Sequence, residues 1–532
     1  MTARAPGIVS PRATLPDIAV VIQTLAFGLV CAAFVWQPEL ATFADDSVSY
    51  LVMAQAFSPY APVSQAVAAA FLRDAFYPPL FPLVLALAGA AHNTAWAHAL
   101  TALILTASIP LIYLLGIRLL EDRRAAAVAT LCVVLLPSMW INAKGILSEP
   151  LFCLLLVATF CVLERDGNGR SRLWQLAILM AAMALTRTVA LPMIAAYGLW
   201  ALTRRGTPLA ARARAALAAL AAVAAYAAWV LLRPAATADN YARIVIEHGS
   251  AFLGAENPWT AIGASLLRQA NAGAEGWISS LLVYWVEGQP LRLILAGAVG
   301  CLALVGMVQR LLAGKADSWM LATYLAIFLI WPFYDQMGRF LFPVLPALIL
   351  YAFQAAATAL RARGRVPGLG HALLAVLTIS LTAPALGFIF QRSRAEPRLA
   401  EIVDWYRTPD LAAARMRVQV HLNLLADMAA IKALTRPEDR VMWVAPSYIA
   451  LLADRRGIPA PDERLSPEAY RRAVRESGAD YVFLSAYHPR DTLSDLAWQA
   501  GLYALTGYAQ TVRVGTTPGS SVVTSMLLKA EK

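Results

Sequence analysis

Apolar blocks of roughly 17–22 residues recur along residues 1–390 of this chain, and a helix of that length crosses a hydrocarbon core about 30 Å thick. The expected spans fall near 17–38, 96–117, 125–142, 147–164, 173–187, 188–203, 215–232, 291–312, 318–335, 340–360 and 369–390, about eleven in number. Only 14% of the 532 residues are charged and 59% are hydrophobic, whereas an ordinary soluble chain carries about 25% charged residues. The fold class that follows is an all-α polytopic membrane domain. The net charge of +11 points to topology and not to nucleic acid. Basic residues crowd every second gap between blocks: Arg118, Arg123 and Arg124, then Arg165, Arg170 and Arg172, then Arg204, Arg205, Arg212 and Arg214. Arg310 and Lys315 continue the series, followed by Arg361, Arg363 and Arg365. The gaps between are nearly free of lysine and arginine. Loops of this kind face the cytoplasm.

The block at Tyr77–Ala91, "YPPLFPLVLALAGAA", breaks that alternation if it is counted as a span. It is short and opens among prolines, which suits a re-entrant or interfacial helix on the outer face. Residues 39–77 and 233–290 are then outer loops, the second carrying Trp259, Trp277, Tyr284 and Trp285 at the interface. Residues 391–532 lose the long apolar blocks and are expected to fold outside as a small C-terminal α/β periplasmic domain. "RVMWVA" and "DYVFLS" read as strands, "SPEAYRRAVRES" as a helix capped by Ser466, and "YAQTVRV" and "SVVTSMLLK" as further strands. The N terminus is expected in the cytoplasm and the first block to be an uncleaved helix, in place of a secretory signal peptide.

The five cysteines lie inside apolar blocks and lack ligand spacing, and the six histidines never pair at i,i+4, so a histidine- or cysteine-based zinc site is not expected. The polar groups worth notice sit at the outer ends of the blocks, because a charge near the bilayer centre costs about 2.5–3.5 kcal/mol even on lenient scales. Asp45 and Asp46 follow the first span in "ADDSVSYLVMAQAF". Their bland role is a solvated loop with a helix cap, and adjacent carboxylates repel unless a cation compensates. Glu149 in "GILSEPLF" opens the fourth span, where an acid with Pro150 suits a helix N terminus. Arg187 in "MALTRTVALP" needs an acceptor or a wet cavity. Arg339 in "DQMGRFLFPVLP" either pairs with nearby Asp335 or reaches to the interface. Tyr50 and Tyr77 lie at the same depth. Together these residues form a one-sided constellation: carboxylates able to take a proton from a hydroxyl, and guanidinium groups able to hold a phosphate bidentately and stabilise it as it leaves.

In order along the chain, "DDSVSYLVMA", "YPPLFPLVLAL", "LSEPLF", "LTRTVALP" and "GRFLFPVLPAL" resemble the lipid-linked-sugar glycosyltransferases of the GT-C fold. The nearest group is that of protein O-mannosyltransferases and lipid A aminoarabinose transferases. The resemblance covers about residues 15–360. It implies that the acidic residue four positions before a tyrosine, Asp46 before Tyr50, is the base or organises the acceptor, with Asp45 a weaker candidate. It places Glu149 at a second acidic position, and Arg187 and Arg339 where basic residues approach the donor phosphate. The aminoarabinose transferases carry a lysine before the proline of the re-entrant segment; this chain has Tyr77–Pro78, which sets it apart from them.

The function expected from the resemblance is transfer of a sugar from a polyprenyl-phosphate donor to an acceptor hydroxyl, on glycan, lipid or protein, at the periplasmic face of a bacterial inner membrane. The anomeric centre would invert. The resemblance fixes no cofactor; a divalent magnesium or manganese ion would suit clustered carboxylates. The rival reading is a transporter or flippase. Such proteins usually place ionisable groups near the midplane and carry inverted repeats, neither of which the sequence displays.

Overall fold

The computed structural model describes residues 13–35, 46–165, 170–234, 246, 250, 254, 257–281, 290–331, 333, 336–361, 372–382, 411–486, 494–516 and 521–531. The first described helix is α1 (Leu15–Val35), little of which is buried. Three short helices on the expected outer side follow: α2 (Asp46–Phe57), α3 (Gln65–Asp74) and α4 (Leu80–Leu87). The last is the proline-led block. Its eight residues rise about 12 Å at 1.5 Å per residue, too little to cross a bilayer. It packs back on α2.

The membrane domain continues with α5 (Thr94–Leu120), α6 (Arg123–Val134), α7 (Pro137–Lys144), α8 (Glu149–Leu163), α9 (Arg170–Thr186), α10 (Ala190–Thr203) and α11 (Leu209–Leu232). After α12 (Pro258–Leu281) come α13 (Pro290–Leu312), α14 (Ala316–Phe328), α15 (Met337–Leu341), a 3₁₀ turn at Phe342–Val344, and α16 (Leu345–Arg361). A further apolar helix, α17, spans Ala372–Thr382.

By length and composition five helical stretches can cross a membrane, or six when the bent pair α6–α7 counts as one. That pair was expected as a single span at 125–142. It breaks by 56° where Pro137 removes a backbone donor. The other expected spans coincide with helices of 10–17 residues, α8, α9, α10 and α17, and with the 13-residue α14. Among the described residues, the stretches long enough to span therefore number five or six against the expected eleven.

The stretch Met337–Leu360 is the hub, most of it buried. It packs on α5, α6 and α13. Contact with α13 is backbone-close at Gly306, where a Cβ would collide with the Tyr351 carbonyl. At the expected cytoplasmic end, Arg310 pairs with Glu164 (2.5 Å) and Asp317 (2.6 Å), and the Tyr351 hydroxyl donates to Asp317. This network ties the ends of α8, α13, α14 and α16 together, one helix length away from Glu149.

The C-terminal part begins with α18 (Leu411–Leu434) and builds a five-stranded sheet in the order β2-β1-β3-β5-β4. The strands are β1 (Arg440–Trp443), β2 (Arg456–Pro459), β3 (Tyr481–Ser485), β4 (Gln510–Thr516) and β5 (Val523–Lys529). β1 lies parallel to β2 and β3, while β5 runs antiparallel to β3 and β4. Helices α19 (Pro467–Ser477) and α20 (Ser494–Leu505) complete it. Ser466 caps α19 by accepting from the Ala469 N–H at 3.3 Å. The edge strand β2, "RGIP", was not foreseen, because four partly exposed residues carry no apolar alternation.

Alternation along the strands decides what this sheet packs against. Met442, Val482, Leu484 and Leu528 face a core with Tyr470 and Val474 of α19 and Ala504 and Leu505 of α20. Val441, Trp443, Phe483 and Leu527 face the other way, into one cluster with Leu424 and Met428 of α18, Val48 and Leu51 of α2, Val67 of α3 and Phe81 of α4. This face of the sheet and the membrane domain thus share one apolar cluster, joined where Pro446–Ala453 packs on α2 and α3.

Candidate active site

Four charged side chains from four separate segments meet at the expected outer ends of the helices. Asp46 opens α2 and Glu149 opens α8, each an acid in a first turn where the helix dipole favours it. Arg187 follows the C terminus of α9, its N–H closing on the Met183 carbonyl, and a cation suits that end. Arg339 lies in α15 at the start of the hub, ahead of the proline-containing 3₁₀ turn.

Arg339 joins the two acids. Its Nη2 donates to Asp46 Oδ2 at 2.6 Å and its Nε to Glu149 Oε1. Arg187 Nη1 reaches the same Glu149 oxygen at 2.6 Å and donates to Ser148 Oγ at 3.1 Å. The Tyr77 hydroxyl donates to Asp46 Oδ1 at 2.6 Å. Tyr50 shares a 2.9 Å hydrogen bond with Ser148 and packs its ring edge-on to Tyr77 and Phe81. Gln336 accepts from Arg339 Nη1 at 3.3 Å, and Phe340 lies 5.9 Å under the Arg187 guanidinium.

All four ionic side chains are largely buried, Glu149 completely. Removing an ion from water costs several kcal/mol even after relaxation. The alternation of two carboxylates with two guanidinium groups, formally neutral, is what makes the cluster tolerable. Glu149 Oε2 is the exception. It is buried and without a hydrogen-bond partner among the described residues, and so remains available to a donor group that enters the site.

Six of the seven residues singled out in the sequence are therefore brought together: Asp46, Glu149, Arg187, Arg339, Tyr50 and Tyr77. Asp45 and Asp335 lie outside the described residues. Arg339, read as paired with Asp335 or reaching to the interface, in fact bridges Asp46 and Glu149. Among the described residues no three His, Cys, Asp or Glu side chains converge on a cation position. Arg339 supplies the positive charge between the two acids.

Sequence reasoning gave no role to Ser148, Gln336 or Gly276. Ser148 stood beside Glu149 in a motif already quoted, but serine at a helix end is common and carries no sign of its partner. Gly276 of α12 is invisible for another reason. A Cβ there would meet the backbone of Met337 and Gly338, so the glycine lets α12 press directly on the segment that carries Arg339. The Ser280 hydroxyl, one turn on, donates to the Gly276 carbonyl at 2.6 Å. α12 falls in the expected outer loop. Trp259 at its start is exposed, as an interfacial residue would be, whereas Trp277 turns inward to donate to Ala296 of α13; Tyr284 and Trp285 lie outside the described residues.

Comparison with known proteins now bears on this geometry. Residues 39–203 match the family model of dolichyl-phosphate-mannose-protein mannosyltransferase, a stretch that holds Asp46, Glu149 and Arg187. The archaeal oligosaccharyltransferase AglB from Archaeoglobus fulgidus, solved with an inhibitory peptide and a dolichol-phosphate, superposes with a TM-score of 0.55 at 11% identity, over 98% of this chain and 75% of its own. ArnT from Cupriavidus metallidurans, bound to undecaprenyl phosphate, gives 0.54 at 13% identity, over 96% of this chain and 98% of its own. The same enzyme in the apo state gives 0.52 at 14% identity with the same coverage. The chain has the GT-C fold. Among curated proteins none matches the sequence.

In the GT-C frame the chain is a multi-span membrane protein. Its ionic cluster lies where the outer-loop helices α2 and α4 meet the ends of α8, α9 and α15.

Proposed function

We propose that this protein is an integral membrane glycosyltransferase that moves a sugar from a polyprenyl-phosphate donor to an acceptor hydroxyl on the periplasmic side of a bacterial inner membrane. The observation that carries the reading is Arg339 bridging Asp46 and Glu149, with Arg187 on the same Glu149 oxygen. Two guanidinium groups beside two carboxylates supply both what a leaving phosphate needs and what an attacking hydroxyl needs. The family match across Asp46, Glu149 and Arg187, and the polyprenyl phosphates bound to AglB and ArnT, support the donor class.

The reaction follows from the residues. A donor phosphate competes with Asp46 for Arg339, and its arrival releases the Asp46 carboxylate. Asp46, still held through Oδ1 by the Tyr77 hydroxyl, then takes the proton of the acceptor hydroxyl. The acceptor oxygen bonds to the anomeric carbon as the bond from that carbon to the phosphate oxygen breaks. The electron pair leaves with the polyprenyl phosphate, whose charge Arg339 and Arg187 stabilise. A single displacement of this kind inverts the anomeric centre. The open Glu149 Oε2 accepts from a sugar hydroxyl. A magnesium or manganese ion enters the reading only if Asp45 joins Asp46 and Glu149, and no step is assigned to it. Transport is disfavoured by the position of the charges, which lie at helix ends.

The test is transfer from polyprenyl-phosphate sugars in proteoliposomes. Mass spectrometry of envelope glycans and glycolipids from cells with and without the protein would name the product. Asp46→Asn keeps the size and the hydrogen bond but cannot take a proton, and is expected to lower kcat about 10²–10⁴-fold. Turnover at the wild-type rate in this variant would remove Asp46 as the base.

A further inference from the structure

The C-terminal domain touches the membrane domain through a polar contact inside an otherwise apolar interface. Asp74 closes α3 and is 4% exposed. Its Oδ2 accepts from the Ser447 hydroxyl at 2.8 Å, and Ser447 in turn accepts from Arg73 Nη2 at 2.7 Å. Ser447 belongs to the short helical turn Pro446–Tyr448, directly after β1. The buried Ser49 of α2, three positions beyond Asp46, stands beside the Asp74 carboxylate and favours its charged form. Burial raises the Asp74 carboxyl above its ordinary value, and Arg73 beside it opposes that shift.

Asp74 therefore reaches Asp46 by two routes. One runs through Ser49 along the first turn of α2. The other runs through the backbone: the Asp74 carbonyl accepts from the Tyr77 N–H at 3.3 Å, and the Tyr77 hydroxyl holds Asp46. The carbonyls of Phe76 and Tyr77 are fixed as well, by Arg233 Nη1 at 3.5 Å and Trp229 Nε1 at 3.2 Å from α11. Around the contact, the helical turn Pro446–Tyr448 and the adjoining Ile449–Ala453 pack on α2 and α3. Tyr448, Ile449 and Ala450 share a core with Val48, Leu51, Val67 and Tyr77.

We propose that Asp74 and Ser447 form a latch through which the C-terminal domain positions Asp46 and Tyr77, making that domain a structural half of the site and not an appended module. As a statement about catalysis this rests on the glycosyltransferase reading above. As a statement about which segments the domain holds in place, it does not. Asp74 and Ser447 are positioning residues: they touch neither Arg187 nor Arg339 nor any reacting group, and they act through α2 and the turn before α4.

The experiment uses the full chain in detergent or nanodiscs and compares Ser447→Ala, Asp74→Asn and the double variant with Thr435→Val. Thr435 accepts from Arg455 at 2.9 Å inside the C-terminal domain, so its loss reports general weakening of that domain. The substrate-independent readout is hydrogen exchange of peptides covering 46–54 and 76–87. Ser447→Ala is expected to speed exchange there several-fold, with the double variant adding little, and Thr435→Val to leave both peptides unchanged. With donor and acceptor present, kcat falls about 10–100-fold in Ser447→Ala, the scale of a small misplacement of reacting groups, while the KM for the donor stays near wild type because the arginines are untouched. Should Ser447→Ala lower only the thermal midpoint, as Thr435→Val does, with exchange and kcat at wild-type values, the latch is structural and the proposal is overturned. If wild-type protein shows no transfer at all, the function assignment fails, and the exchange measurement still decides the latch.

Discussion

Arg339 concentrates the chemistry of the site in one planar group. Its guanidinium reaches a carboxylate on α2 and another on α8 at once, a span that the fork geometry of arginine allows and a lysine ammonium does not. Arg339→Lys is expected to preserve the charge and the fold but to lower kcat/KM for the donor about 100-fold, measured by initial rates against donor concentration. Arg339→Ala leaves Asp46 and half of Glu149 uncompensated in a buried place, a change that costs about 3–5 kcal/mol of stability and should appear as a lower thermal midpoint. Comparing the two variants separates recognition from folding. At this scale much was legible beforehand. Six of the seven residues named from the sequence converge, because charges at the ends of apolar blocks have few other places to go. Their partners were not legible. Nothing in "DQMGRFLF" says that Arg339 meets residues nearly three hundred and two hundred positions away.

Among the elements, the departures from expectation have physical causes that can be named. The span foreseen at 125–142 became α6 and α7 because Pro137 interrupts the helix. The block before Ala91 stayed short because three prolines open it, and it could then fold back to cover α2. α12 shows the opposite case, a segment read only as part of an outer loop with aromatics at the interface, which braces the site. Its Gly276 sits where any side chain would press on Met337 and Gly338. Gly276→Val is expected to push α15 outward and raise the donor KM by about tenfold or more, since displacements near 1 Å cost reacting groups up to 10²-fold. Steady-state kinetics in proteoliposomes would check this. An unchanged KM would mean that Arg339 keeps its place without α12.

On the scale of the whole molecule, the sheet and the membrane domain share one apolar core. Val441, Trp443 and Phe483 belong to one buried cluster with α18, the segment Pro446–Ala453, and α2, α3 and α4, and that segment makes the contact with α2 and α3. Burying one large side chain contributes about 1.5–3 kcal/mol, so residues 411–532 expressed alone should lose several such terms and bare an apolar face. The expected result is strong binding of a hydrophobic dye and a weakened near-UV circular dichroism signal, against native behaviour in the full chain. A cooperative, dye-silent excised domain would contradict the shared core. The sequence by itself determined that the chain is a bundle of apolar helices followed by a small α/β unit, and which charged residues stand at the helix ends, because these properties are written in local length, periodicity and charge. Tertiary structure alone decided that Arg339 bridges Asp46 and Glu149, that Gly276 must be bare, and that Ser447 lies on Asp74. Each of those contacts joins segments far apart in the chain, and only the packed arrangement of the helices brings them within reach.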